Sequence, residues 1–207
     1  MTMTTTVHVA VYDGLSDWEV GLATAHIANG WWQREPGRAE VRTVGASPAP
    51  ITTMGGMRVV PDLALDGLEP ADSAMLILPG GDGWEAGQHA RFAAKARAFL
   101  AAGVPVAALC GATWGLAVEG LLDDRDHTSN AREYLAASGY GGTHRFQDAP
   151  VVTDGDLLTG SGVLPVDFAQ AVLAKLDLYE PEVLDSWYKL YGQADAAGYD
   201  ELMAVAS

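Results

Sequence analysis

Cys110 is the only cysteine among the 207 residues, and it lies where a strand pattern gives way to a helix pattern. The surrounding sequence is VPVAALCGATWGLAVEGLL, residues 104–122. A lone cysteine in an apolar run is commonly a small buried hydrophobic residue. A thiol at the start of a helix instead meets the partial positive charge of the helix N-terminus, which favours the nucleophilic thiolate. The position favours a reactive thiol on a sharp strand-to-helix turn, with inert packing as the alternative.

Backbone donors for such a thiol are offered by glycines at the ends of two apolar runs. Gly80 and Gly81 follow the run AMLIL at residues 74–78, and Gly111 follows Cys110. In one interpretation the first pair forms only a turn. In the other, the backbone N–H groups of all three glycines form an oxyanion hole.

Glu19 has two competing interpretations. Ser16-x-x-Glu19 is the pattern of a capping box, which explains both residues without chemistry. Alternatively, Glu19 reaches the thiol from the end of the first strand. A carboxyl group that stays protonated there would donate a hydrogen bond to the thiolate and lower the thiol pKa. That role requires a raised pKa for Glu19.

Aromatic and histidine side chains give weaker indications. Trp84 lies just after Gly80 and Gly81, and Trp114 lies just after the strand-to-helix turn at Cys110, which we call the elbow. In one interpretation these two side chains form the wall of a small apolar pocket, and in the other they pack in the core. His127 lies just after the elbow helix, and a solvated or core-edge role is favoured for each of the five histidines. Their spacing does not match a metal site, and no phosphate-binding loop pattern occurs. We therefore expect no metal and no other cofactor.

Alternating strand and helix patterns position these residues. Strands are predicted at 7–12, 39–44, 74–78 and 104–109, hairpins at 51–60 and 151–158, helices at 16–29, 88–102, 111–122, 131–137, 165–176 and 181–191, and a short strand at 126–129. This alternation predicts an α/β protein with a mostly parallel sheet and helices on both faces. Ligands of such sheets bind at the carboxyl ends of strands beside a topological switch point. The three strand ends at Tyr12, Pro79 and Cys110 are therefore expected to surround one crevice.

Length and composition limit the other possibilities. The length fits a single domain over residues 1–192 with a loosely held C-terminal tail over residues 193–207. A net charge of -15 argues against a nucleic-acid partner. No window approaches the ~18 apolar residues of a membrane span, and the opening MTMTTT lacks the features of a signal peptide. One cysteine fits a reducing compartment, so we expect a cytoplasmic protein.

Four segments together resemble the DJ-1/PfpI superfamily, whose members are relatives of the class I glutamine amidotransferase domain. They are VYDGLSDWE, LILPGGDGWE, VAALCGATWGLAVEGLLDDR and VVTDGDLLTGSG. The resemblance covers nearly the whole chain. It implies a flavodoxin-like three-layer sandwich that is usually a homodimer. It also implies a reactive cysteine at Cys110, a nearby carboxylic acid at Glu19, and oxyanion-binding amides at Gly80, Gly81 and Gly111.

Two departures from the superfamily pattern affect the expected chemistry. The protease-like branch has a histidine directly after the nucleophile, where this chain has Gly111, and this argues against peptidase activity. Another branch has a histidine at the position that Asn130 holds here. His127 is three residues earlier, and an odd offset in a strand points to the opposite face. Asn130 would orient a substrate or water but is not a general base near neutral pH.

Three functions follow from these residues. The first is a cysteine-dependent enzyme acting on a small carbonyl- or nitrile-like substrate as a hydrolase, hydratase or glyoxalase-like lyase. Cys110 would be its nucleophile and Glu19 its acid/base. The alternative is a redox-sensing stress-response protein in which Cys110 is reversibly oxidised. The third is an inert binding module with an ordinary thiol pKa of about 8.5.

Overall fold

The computed structural model describes residues 5–205, and this part of the chain contains nine strands and seven α-helices. The strands are β1 (Thr5–Val11), β2 (Ala39–Gly45), β3 (Ile51–Thr52), β4 (Arg58–Val59), β5 (Leu63–Ala64), β6 (Met75–Leu78), β7 (Val106–Leu109), β8 (Val151–Asp154) and β9 (Leu157–Gly160). The helices are α1 (Asp17–Ala28), α2 (Ala90–Ala101), α3 (Gly111–Val118), α4 (Arg132–Ala136), α5 (Pro165–Lys175), α6 (Pro181–Gln193) and α7 (Ala197–Val205). Most of the MTMTTT opening and the last two residues of the predicted tail lie outside the described residues.

Seven strands form one sheet in the order β5-β2-β1-β6-β7-β9-β8. All neighbours are parallel except β8 and β9, which form the hairpin predicted at residues 151–158. Strands β3 and β4 form the second predicted hairpin, separate from the sheet. The predicted fold class is therefore confirmed.

Helices cover both faces because successive strand residues point to opposite sides. Val7, Val9 and Ile77 pack toward α1, α5, α6 and α7. Leu76 and Leu78 pack on the other face, toward α2, α3 and α4. This arrangement is the predicted three-layer, flavodoxin-like sandwich.

Two predicted elements differ from the structure. Helix α3 ends at Val118 rather than at residue 122, and the left-handed backbone of Gly120, with φ of 74°, turns the chain out of the helix. The strand predicted at residues 126–129 is wrong. Only a single bridge between His127 and Phe146 forms there, since no neighbouring strand extends the pairing.

The strand order reverses at β1, which lies between β2 and β6. The loops that follow β1 and β6 are joined by backbone hydrogen bonds from Ser16 N–H to Gly80 O (3.0 Å) and from Asp82 N–H to Gly14 O (3.2 Å). Strand β7 lies next to β6, so Cys110 follows the adjacent carboxyl end. The three predicted strand ends therefore meet at one switch point.

The tail predicted for residues 193–207 contains an ordered helix. Helix α7 folds back on α6 through Ala194, whose φ is 54°, and Leu202 of α7 is fully buried. Across residues 5–205, no helix is both long enough and apolar enough to cross a membrane.

Candidate active site

Cys110 occupies an unusual backbone conformation between β7 and α3, with φ of 53° and ψ of -127°. Its N–H donates to Gly160 O of the neighbouring strand β9 (3.1 Å). Its carbonyl accepts from Thr113 N–H (3.1 Å) and from the Thr113 hydroxyl (2.6 Å). A non-glycine residue persists in such a conformation only where the surrounding structure fixes it. The structure thus places the thiol on a rigid strand-to-helix elbow.

Glu19 lies at the same switch point and is 1% exposed. Its Oε2 accepts a 2.5 Å hydrogen bond from Gly80 N–H. Ser16 makes no side-chain capping bond, so the capping box does not explain Glu19. Oε1 has no hydrogen-bond partner within the described residues, and the Cys110 thiol lies beside it. A carboxyl oxygen is therefore available to the thiol proton.

Two glycines enclose the pair formed by Glu19 and Cys110. A Cβ placed on Gly80 would lie 2.8 Å from Cys110 Sγ and 2.9 Å from Glu19 Oε1. A Cβ placed on Gly162 would lie 2.9 Å and 2.5 Å from the same two atoms. Both positions require glycine because any side chain would overlap the pair. Gly162 was missed by the sequence analysis, although it closes the segment VVTDGDLLTGSG, because nothing in the sequence shows that β9 neighbours β7.

Asn130 joins the thiol to the Gly162 loop. Its Nδ2 donates to Cys110 Sγ (3.2 Å), and its Oδ1 accepts from Gly162 N–H (2.9 Å). The amide orientation is thereby fixed with its donor on sulfur. This side chain holds the thiol in place and stabilises negative charge on it.

The three predicted oxyanion donors are not equivalent. Gly80 N–H is already bound to the Glu19 carboxyl group and is not free for a ligand. The bridge between Leu15 and Gly81 is closed by other N–H groups, those of Ser16 and Asp82, so it does not use Gly81 N–H. Gly111 N–H faces the Cys110 sulfur and lowers the pKa of the thiol. Gly81 and Gly111 therefore remain as the candidate donors.

The predicted pocket residues make no hydrogen bond to the thiol among the contacts of the described residues. Trp84 is 2% exposed and donates to Tyr12 Oη (3.0 Å), and with Trp114 it lines a cavity of about 90 Å³ whose lining does not include Cys110. His127 is fully buried and hydrogen-bonded to Arg125 O and Tyr140 Oη, both at 2.7 Å. In the part of the chain that the structure describes, no histidine is hydrogen-bonded to the thiol.

Two residues near the site were not predicted. Trp18 precedes Glu19, is 52% exposed, and donates from Nε1 to Gly162 O (2.9 Å). Tyr134 donates a hydrogen bond to Glu85, and burial, that hydrogen bond and the charges of the thiol and Glu19 raise its pKa. Only the position of Trp18 beside Glu19 signalled either of them in the sequence.

Burial sets the titration of the Glu19–Cys110 pair. It raises the pKa of Glu19 to about 7, while Gly80 N–H, the thiol and Ser16 act to lower it. Burial, together with the charge of Glu19, raises the pKa of Cys110 to about 11, against Asn130 and Gly111 N–H. This direction is opposite to the one that the helix start alone predicts. Near neutral pH the site holds a thiol beside a carboxyl group that titrates there.

The buried carboxyl group should make stability depend on pH. Its folded pKa of about 7 exceeds the unfolded value of 4.5, so folding favours the protonated form and stability falls as pH rises between those values. The loss amounts to about 3 kcal/mol. The stability of Glu19→Gln relative to that of wild type should therefore increase as the pH rises from about 4 to about 8. Urea unfolding at both pH values measures this, and a constant difference would contradict it.

The architecture and the site define a class of protein. It is a doubly wound α/β sandwich with a cysteine on the elbow after a central strand and a buried carboxyl group from the first strand–helix junction. The DJ-1/PfpI family model matches residues 5–175, and the chain belongs to that family.

Relatives with similar sequences and structures support this assignment. The chain is 38% identical over 200 residues to the uncharacterized protease YoaZ of Bacillus subtilis, covering 95% of each chain. It is 31% identical over 179 residues to the uncharacterized protease YdeA of the same organism, covering 84% of this chain and 85% of the relative. Among solved structures, a ThiJ/PfpI family protein from Bacillus anthracis has a TM-score of 0.92 at 37% identity, covering 99% of this chain and 98% of that one.

Proposed function

We propose that this protein is a cysteine-dependent enzyme that acts on a small carbonyl- or nitrile-like substrate, as a hydrolase, hydratase or glyoxalase-like lyase. The observation that carries the proposal is the close approach of a buried carboxyl group to the thiol, since a single Cβ on Gly80 would lie 2.8 Å from Cys110 Sγ and 2.9 Å from Glu19 Oε1. Burying a carboxyl group of which only one oxygen accepts a hydrogen bond costs stability. Carboxyl groups with a strongly shifted pKa of this kind are concentrated at functional sites.

The pair supports a concerted transfer of the thiol proton. Glu19, ionised above its pKa of about 7, takes the proton from sulfur as Sγ forms a bond to the electrophilic carbon. The π-electron pair of the substrate moves to its oxygen or nitrogen, where the N–H groups of Gly81 and Gly111 stabilise the charge. Protonated Glu19 then returns the proton to that atom. In a hydratase or hydrolase, water next adds to the same carbon, the C–S bond breaks with its electron pair on sulfur, and a proton from the water restores the Cys110 thiol.

The same geometry makes peptide hydrolysis the less favoured reaction. Two relatives are called uncharacterized proteases. A cysteine peptidase uses a histidine to protonate its leaving amine. Here the residue after the nucleophile is Gly111, and His127 is occupied by hydrogen bonds to Tyr140 and to the Arg125 carbonyl. Glu19 alone suits a substrate without an amine leaving group.

Redox sensing is the second candidate, and the position of Asn130 favours it. Its Nδ2 donor at 3.2 Å from Sγ would also bind the oxygen of a sulfenic acid formed with a peroxide, in which sulfur is oxidised and the peroxide is reduced to water. The raised thiol pKa opposes this function because thiolate is the form that reacts.

The test compares wild type, Cys110→Ser and Cys110→Ala on three probes: a ketoaldehyde, an aryl nitrile and an isonitrile. We expect turnover of at least one probe by wild type and none by either variant, with each variant melting within a few degrees of wild type. Intact-mass analysis after dilute hydrogen peroxide provides the second arm. Rapid, thiol-reversible addition of one oxygen without turnover of any probe would favour the sensor instead.

We also propose that the protein is a homodimer with a small-molecule substrate as its other partner. An apolar cluster beside the site, formed by Trp18, Met54 and Met57, is 47–57% exposed in the single chain and is the surface that we assign to the interface. Light scattering behind a sizing column should give twice the mass of 21.7 kDa. The cytoplasmic location and the absence of nucleic-acid and membrane partners stay predictions.

A further inference from the structure

A second cavity, far from the elbow, has the composition of a ligand site. It has a volume of about 390 Å³ and is lined by Trp31, Trp32, Leu190, Tyr191, Tyr199 and Met203. These residues come from the loop after α1 and from α6 and α7. Helix α1 carries Glu19 at its start and leads to this loop at its end, so its 12 residues, about 18 Å, separate the two sites. The size falls in the range of small-molecule pockets.

The loop that carries Trp31 and Trp32 is anchored to the last turn of α1 by Gln33. Gln33 is 6% exposed, and its Nε2 donates to His26 O (2.8 Å) and Ile27 O (2.9 Å), the last turn of α1. Trp32 has φ of 58°, a left-handed conformation that is an outlier for a bulky side chain. The anchoring offsets the cost of this conformation and holds the indole against the cavity.

A buried ring supports the cavity wall. His26 stacks on Trp32, with centroids 6.1 Å apart, and meets Tyr191 edge-on at 5.1 Å. The two outer rings are open to solvent, since Trp31 is 61% exposed and Tyr199 is 52% exposed. Four aromatic rings therefore line a cavity whose inner wall is rigid and whose mouth is accessible.

The chain segment that carries α6 and α7 is rich in acidic residues. Residues 177–205 contain seven acidic side chains and one basic side chain, Lys189. Lys189 is paired with Glu201, and Arg34 beside the loop is paired with Asp177 (3.2 Å) and Glu180 (3.1 Å). Burial lowers the pKa of His26 to about 4, so its ring is uncharged at neutral pH. Lys189 and Arg34 are thus both ion-paired, and neither is free within these described segments to repel a cationic ligand.

We propose that this aromatic cavity binds a small organic cation of the quaternary-ammonium type. The negative faces of several aromatic rings attract a cation that sheds its water easily, and quaternary ammonium groups are recognised in this way. The acidic surroundings favour a cation over an anion. Such a site is independent of Cys110 and would hold either in an enzyme or in a sensor.

The probes are choline and its uncharged isostere 3,3-dimethyl-1-butanol, titrated into the full chain and followed by the tryptophan indole signals in NMR spectra. We expect choline to bind at millimolar concentration and to shift the signals of Trp31 and Trp32, with the isostere at least about fivefold weaker. Trp31→Ala and Tyr199→Phe separate ring removal from hydroxyl loss. We expect about a tenfold weaker affinity for the first and little change for the second, since the ring face carries the attraction.

Trp18→Ala is the matched control, because Trp18 is also more than half exposed but lies at the other end of α1. It should leave choline affinity unchanged. The proposal is overturned if the isostere binds as tightly as choline, if Trp18→Ala weakens binding as much as Trp31→Ala, or if no indole signal shifts at millimolar choline. Trp31→Ala lies outside the Cys110 site and should leave turnover unchanged.

Discussion

Glu19→Gln is expected to lower turnover by about 10²- to 10⁴-fold while it speeds alkylation of the Cys110 thiol. Turnover falls because the amide cannot accept the thiol proton during attack. Alkylation accelerates because both the charge of Glu19 and its hydrogen bond raise the pKa of the thiol, and the variant removes the charge. A pKa lowered by about one unit gives about tenfold more thiolate near pH 8.

The two effects have opposite signs, and this makes the experiment decisive for the role of Glu19. Turnover on the most active probe and the rate of iodoacetamide labelling are measured on the same samples across pH. Wild-type turnover should rise with pH through the Glu19 pKa of about 7, and the variant should lose that limb. Asp17→Asn is the control. Asp17 lies on the same helix as Glu19, but its carboxylate accepts a hydrogen bond from Gly55 N–H and does not contact the thiol. Parallel losses of turnover and of labelling in Glu19→Gln would mean that Glu19 only supports the fold.

The fold was predictable because its signals are local and repeated. The apolar run 74–78 and the amphipathic stripe of α2 each specify their element within a few residues, and their alternation specifies the parallel sheet. The prediction of a strand at residues 126–129 was wrong because its signal was only local. Strand pairing there depends on a distant partner, and only the single bridge between His127 and Phe146 forms.

The sequence predicted only part of the candidate site, because some of its properties depend on burial and on strand pairing. Strand ends and the elbow place Cys110, Glu19 and Gly80 together, since the carboxyl ends of parallel strands share one edge. The direction of the thiol pKa depends on burial and on the charge of Glu19, which no local pattern reveals. Gly162 lies in the loop just after β9, more than 40 residues further along the chain than Cys110, and its contact with the pair follows only from the pairing of β7 with β9.

Gly162→Ala is expected to remove about 99% of turnover, because displacement of reacting groups by about 1 Å costs about 100-fold. The added Cβ would lie 2.5 Å from Glu19 Oε1 and 2.6 Å from Cys110 Cβ, so the carboxyl group and the thiol must separate. Overpacking of this kind also costs about 1–3 kcal/mol of folding free energy. Turnover and urea unfolding are measured together, at a temperature where the variant remains folded.

Gly21→Ala is the matched control for this substitution. Gly21 lies on α1 two residues after Glu19, and a Cβ there would meet no atom within 4 Å. Alanine should keep full turnover and add about 0.5–1 kcal/mol of stability, since alanine is the better helix former. Full turnover in Gly162→Ala would show that the thiol and the carboxyl group need not touch, and the shared-proton mechanism would then fail. Loss of turnover with the thiol still readily labelled by iodoacetamide would locate the damage at the carboxyl group, because the nucleophile alone is then intact.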